Sequence, residues 1–123
     1  MGINILSQYG TNWTSGNIKT GAYLNSAGPV TISKIVALGN GIVNNWAGLY
    51  IQTANNQNIT LTCALLSGNG YHGLSAYLGT GTLTLNGVTS YGNDVFGGSV
   101  DPDIFNNVGS TVITNPTSCG TFQ

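Results

Sequence analysis

Val30-Thr31-Ile32-Ser33…Leu38-Gly39-Asn40-Gly41, Ile59-Thr60-Leu61-Thr62…Ser67-Gly68-Asn69-Gly70 and Leu83-Thr84-Leu85-Asn86…Tyr91-Gly92-Asn93-Asp94 align without a gap. Each opens on an apolar-Thr-apolar-polar run and reaches a Gly-Asn turn at the same offset. A weaker copy precedes them at Leu6…Tyr9-Gly10-Thr11-Asn12, and a degenerate one closes the chain at Val112…Ser118-Cys119-Gly120. The turn glycines 10, 39, 68, 92 and 120 then stand 29, 29, 24 and 28 residues apart. A repeat of this length, made of short strands and Gly/Asn turns, is one coil of a solenoid.

Alternation places the strands. Val30 and Ile32, Ile59 and Leu61, and Leu83 and Leu85 point inward, with Thr31, Thr60 and Thr84 outward between them. After a bend, Ile35, Ala64 and Val88 start a second inward-facing strand. Glycine then supplies a positive φ at the turn, which the following Asn also tolerates. A third strand reads as Ala22-Tyr23-Leu24, Leu49-Tyr50-Ile51 and Ala76-Tyr77-Leu78. Three short strands per coil, each pairing in parallel with its counterpart one coil away, predict an all-β chain: a single β-solenoid domain over residues 1–123 with about five coils. No segment reads as a helix, because glycine is scattered throughout and the helix-favouring Glu, Lys, Arg and Met are nearly absent.

Here the sequence resembles a known family. The apolar-Thr-apolar-polar opening, the Ser67-Gly68-Asn69-Gly70 turn and the Gly48-Leu49-Tyr50-Ile51 strand are similar to right-handed parallel β-helix repeats. Such repeats occur in pectate-lyase-like enzymes and in long bacterial surface proteins. The resemblance covers residues 30–94 well and the two ends weakly. It implies the fold and its right-handedness and says nothing of activity.

Composition excludes several function classes. Only 4% of residues are charged, against roughly a quarter in ordinary globular chains. The inventory is Lys19, Lys34, Asp94, Asp101 and Asp103, with no Arg and no Glu. So few cations build no phosphate-neutralising patch, which argues against nucleic acid and anionic lipid as partners. No apolar run approaches the roughly 20 residues of a membrane helix, and Met1-Gly2-Ile3-Asn4 does not read as a signal peptide. The Asn/Thr-rich composition points to an extracellular or cell-surface setting.

Catalytic chemistry is poorly provided for. The family resemblance implies an Arg or Lys base beside acidic calcium ligands for lyases, and clustered Asp for hydrolases. Glycoside hydrolysis needs two carboxyl groups flanking the bond, and only the three Asp are available. No enzyme is therefore expected and no cofactor is required. Asp101-Pro102-Asp103 is a weak Ca²⁺ candidate and equally an ordinary turn. His72, with no acid near it in sequence, reads as a surface residue rather than a general base. Cys63 and Cys119 occupy different columns two coils apart if both lie on the solenoid, beyond disulfide reach; a folded-back C-terminal tail would change that. The sequons at Asn12 and Asn58 are close to what chance gives in so Asn/Thr-rich a chain.

Two features carry function. Tyr23, Tyr50 and Tyr77 recur every 27 residues at an outward position, predicting a ladder that either stiffens the solenoid or offers a sugar platform. Neither end shows a charged or helical cap, and both carry strand-like pieces, with Ile3 and Ile5 at one end and Val112 and Ile113 at the other. An uncapped coil exposes unpaired edges, and two explanations fit: the chain is a polymer subunit whose ends are covered by its neighbours, or it is a fragment cut from a longer repeat protein. The expected function is therefore an extracellular structural solenoid whose copies stack head to tail into a filament or surface layer. The alternative is a carbohydrate-binding or adhesive module of a larger surface protein, and a polysaccharide lyase or hydrolase comes third.

Overall fold

The computed structural model describes residues 1–6, 10–43, 45–95 and 103–122. Ten strands follow one another: β1 (Ile3–Ile5), β2 (Asn12–Ser15), β3 (Ala22–Ser26), β4 (Val30–Leu38), β5 (Leu49–Thr53), β6 (Ile59–Ser67), β7 (Leu74–Tyr77), β8 (Thr82–Tyr91), β9 (Ile104–Asn106) and β10 (Thr111–Asn115). No helix occurs among the described residues. Every pairing is parallel. One sheet runs β1-β4-β6-β8-β10, with β2 also on β4, and the other runs β3-β5-β7-β9. The chain is a parallel β-solenoid of about four turns, slightly fewer than the five expected, because the last repeat contributes only β10.

The three aligned repeats stack in the register read from sequence. Val30, Ile59 and Leu83 share a column, and so do Ile35, Ala64 and Val88. Their side chains, with Ile32, Leu61, Leu85, Leu49, Ile51, Leu74, Ala76 and Leu78, form the buried core. The bend within β4, β6 and β8 falls on Lys34, Cys63 and Gly87, all left-handed at φ 57, 58 and 62°. A single left-handed residue turns the strand at each coil while pairing resumes on either side.

Sequence periodicity misplaces three features. The first coil turns at Gly16-Asn17 rather than at Gly10: Ser15 pairs with Leu38, Gly16 donates to the Leu38 carbonyl, and φ at Gly16 is 65°. Asn12 already pairs with Ile35, beyond the bend, so the copy nearest in spelling is not the copy in space. In the second sheet Leu49, Tyr50 and Ile51 pair with Leu74, Ser75 and Ala76, not with Ala76, Tyr77 and Leu78. A two-residue slip leaves the in/out alternation intact, so alternation is blind to it.

The third concerns the cysteines. Cys63 and Cys119 form a disulfide with Cα atoms 5.4 Å apart. Axial separation does not keep the two apart, because Cys119 occupies no coil position: after β10 the tail folds back beside the coils. It passes Gly87, where an added Cβ would lie 2.5 Å from Cys119 Sγ and 2.8 Å from the Thr117 carbonyl oxygen. Lys34 and Cys63 make the same left-handed bend with side chains, so it is the close passage of the sulfur and the Thr117 carbonyl that calls for glycine here.

The cross-link closes a segment with a sequence separation of 56, which in the chain-entropy model stabilises by about 4 kcal/mol. Cys119→Ser is expected to lower the denaturation free energy by up to that amount. Gly87→Ala should cost about 1–3 kcal/mol through backbone strain and slow oxidative closure of the bridge. Denaturant titration with and without reductant checks both: Gly87→Ala is expected to cost more in the oxidised chain than in the reduced one.

Candidate functional site

The turn asparagines build a ladder inside the solenoid. The Asn40 backbone N–H and Nδ2 donate to Asn69 Oδ1 at 3.0 and 3.1 Å, and those of Asn69 donate to Asn93 Oδ1 at 3.1 and 2.8 Å. The Asn17 backbone N–H and Nδ2 donate to Asn40 Oδ1 from the other side. Each Nδ2 also donates to a strand carbonyl: Asn40 to Thr14, Asn69 to Ala37 and Asn93 to Leu66. Asn40 and Asn69 are fully buried. Burial makes these bonds obligatory, since each orphaned polar group would cost about 1–3 kcal/mol.

Asp103, half of the calcium candidate, terminates this ladder. Its Oδ1 accepts from the Asn93 N–H at 3.1 Å and Nδ2 at 2.7 Å, and its backbone carbonyl accepts from Gly73 and Leu74. All donors in the row point towards this end, so the last member must accept, and a carboxylate does so with charge assistance. Asp101 lies outside the described residues. Among the described residues, no three His, Cys, Asp or Glu side chains gather where they could hold a metal.

The tyrosines meet on the outer face of the second sheet, by a route that the repeat spacing does not reveal. Tyr23 and Tyr50 are in register and stack at 4.8 Å with planes 4° apart. Tyr77 pairs instead with Gln52, yet its ring lies 5.2 Å from that of Tyr50, tilted by 32°. It fills the space above Ser75, the small residue that holds the in-register position. Phe105 pairs with Ser75 in turn, and its ring stands 5.4 Å from Tyr77 and 5.2 Å from His72. His72 also lies 3.7 Å from Tyr71. The row is therefore six rings long: Tyr23, Tyr50, Tyr77, Phe105, His72 and Tyr71. Phe105 and His72 carry no periodic signal of ladder membership, since neither falls on the 27-residue spacing. His72 is only 2% exposed, a correction to its reading as a surface residue: the neighbouring rings enclose it.

Stacking decides what this row offers. Tyr50 has a ring on both faces, so its edge and hydroxyl are what it shows to solvent. Tyr23, at the end of the row and 59% exposed, keeps one face open. Burial, followed by repulsion from Tyr77 and then Tyr23, raises the Tyr50 phenol above its ordinary 10.0.

The remaining candidates lie apart from the rings. Ile3 and Ile5 are half-buried on β1, whereas every residue of β10 is exposed, Val112 and Ile113 included. Asn12 spends its Nδ2 on the Ser33 and Leu6 carbonyls, and Asn58, the other sequon residue, accepts from the Thr82 N–H through Oδ1.

Two measurements test the aromatic row. Tyr50→Ala is expected to cost roughly 1–3 kcal/mol more than Tyr91→Ala, because it removes two ring contacts where the exposed Tyr91 stacks on no ring among the described residues; equal losses would show that the stack contributes nothing. The raised Tyr50 value also sets a pH dependence. A folded chain that holds its phenolic proton more tightly than the unfolded chain is favoured below pH 10 and loses that advantage as pH climbs through the folded value. Thermal melts above pH 10 should therefore fall more steeply for the parent chain than for Tyr50→Phe.

Comparison with known protein families, curated proteins and solved structures finds no match to this chain.

Proposed function

We propose that this chain is a non-enzymatic, extracellular structural β-solenoid that joins end to end with further copies of itself in a filament or surface layer. The observation that carries the reading is β10. Among the described residues it pairs on one side only, all five of its residues are exposed, and it includes Val112 and Ile113, 42% and 45% exposed. An unpaired edge beside exposed apolar side chains is a template for another strand. Almost no charge stands in the way of an identical neighbour.

The disulfide supports an oxidising, extracellular setting, and the repeat pattern favours kinship with the β-helix repeats of bacterial surface proteins. The carbohydrate-binding alternative draws less support. A sugar ring stacks on an aromatic face, and here most faces are turned to one another. An enzyme has less still, with Asp103 committed to the asparagine ladder and no basic residue beside it.

Analytical ultracentrifugation at tens of micromolar tests the proposal. The parent chain is expected to sediment above monomer mass, with elongated particles in negative-stain micrographs. Val112→Pro combined with Thr114→Lys should abolish that association while circular dichroism shows the coils still folded. A parent chain that stays monomeric across the range refutes the reading.

A further inference from the structure

The two sheets stop at different heights. The sheet containing β10 has five levels, β1, β4, β6, β8 and β10, whereas the sheet facing it has four, β3, β5, β7 and β9. At the C-terminal end β10 therefore stands one strand proud, and the position across the core, beside the outer edge of β9, is vacant among the described residues. Val112 and Thr114 continue the inward columns of Leu83 and Leu85, yet both are exposed because nothing closes the coil opposite them. No described residue closes it either: beyond β10 the described tail turns away, and Cys119 is tied back to Cys63. The notch is thus held open by the fold's own cross-link.

We infer that the occupant of this notch is β10 of a second copy, in a two-fold, tail-to-tail dimer. A two-fold axis perpendicular to the solenoid axis and running between the sheets reverses the solenoid and exchanges the two sheets. It lays each copy's surplus strand on the other copy's shorter sheet. The edge of β10 in one copy then meets the edge of β9 in the other, and the same contact repeats in reverse, as an isologous interface requires. The two β10 strands become opposite sides of one shared coil, with the Val112 and Thr114 side chains of both copies facing one another across it.

This arrangement fits better than the head-to-tail contact expected from sequence. A head-to-tail neighbour resting its β1 on β10 would carry its β3 one level, about 4.8 Å, too high to reach β9. One sheet would be continuous and the other would miss a strand. Within residues 103–122, which carry β9 and β10, Asp103 is the only charged side chain, and its Oδ1 is occupied by Asn93. A coil of about 24 residues at about 3.3 Å each has a perimeter of about 80 Å and encloses on the order of 500 Å². Two such end faces make about 1,000 Å², the lower bound for a specific interface, so the dimer should be concentration-dependent rather than obligate.

The inference deepens the end-to-end reading and rests on it for the C-terminal end alone. A charge exchange at position 114 tests it, because only the two-fold contact brings that position against itself. Thr114 is exposed in the single chain, so Thr114→Lys and Thr114→Asp should both fold. Each alone is expected to dimerise at least tenfold more weakly than the parent chain in sedimentation equilibrium. Mixed in equal amounts they should recover a one-to-one dimer. If the parent chain associates and the mixture shows no recovery, the two-fold contact is wrong while end-to-end assembly survives. If the mixture recovers but the parent never exceeds a dimer, the two-fold contact stands and the filament falls. A parent chain that is monomeric throughout overturns both.

Discussion

Burial of polar backbone at the coil turns is the constraint from which the rest of the solenoid follows. A closed coil must turn its chain inside a core that offers no water, and the N–H and C=O groups at those turns need partners. Asn40 and Asn69 supply them from within, each amide oxygen accepting two donors of the preceding coil and each Nδ2 reaching a strand carbonyl. The ladder also does what hydrophobic side chains cannot. Leucines and valines in columns tolerate a slip of two residues, since the same face stays inward. A buried amide displaced by one position leaves several groups unsatisfied at once.

Columns near the ladder were accordingly legible in the sequence, and those far from it were not. From Val30 to Asn93 the distance from strand start to Gly-Asn turn is constant, and the pairing of β4 with β6 and β8 follows that spacing residue by residue. Beyond the turn, loops of unequal length intervene, and only alternation remains to place the second sheet. Tyr77 shows the consequence: its spacing from Tyr50 suggested a shared column, the backbone places it two residues on, and the ring leans back into the row. The first coil misled differently. Gly10 and Asn12 imitate the turn in spelling, whereas Asn12 anchors the bend through the Ser33 carbonyl and Asn17 is the ladder member.

Phe105, His72 and the disulfide were hidden for a related reason. Each lies off the recurring pattern: Phe105 on the short strand β9, His72 in the loop before β7, and Cys119 in the tail after β10. Periodicity describes what recurs. A feature that ends or interrupts the recurrence carries no periodic signal, and the two-coil separation of Cys63 and Cys119 held only while both were assumed to lie on coils. Gly87 was the available hint, occupying the bend column shared with Lys34 and Cys63, where its lack of a side chain opens the route that Cys119 takes.

The scarcity of charge becomes intelligible in this frame. Stacked coils place identical columns about 4.8 Å apart, so a charged residue that recurs with the repeat sets like beside like up the whole solenoid and destabilises every coil step. Neutral donors and acceptors behave oppositely, because an amide or hydroxyl can donate to one neighbour and accept from the next; Asn115 donating to Asn86, and Asn86 to Thr62, do so on the outer face. The one carboxylate placed in a ladder, Asp103, stands at its end, where it accepts from the last turn asparagine, Asn93. Repetition thus selects against charge within the coils and permits it where repetition stops. The same selection leaves the terminal coil with little repulsion against a second copy of itself, so the neutrality that lets coils stack within one chain also removes a barrier between chains.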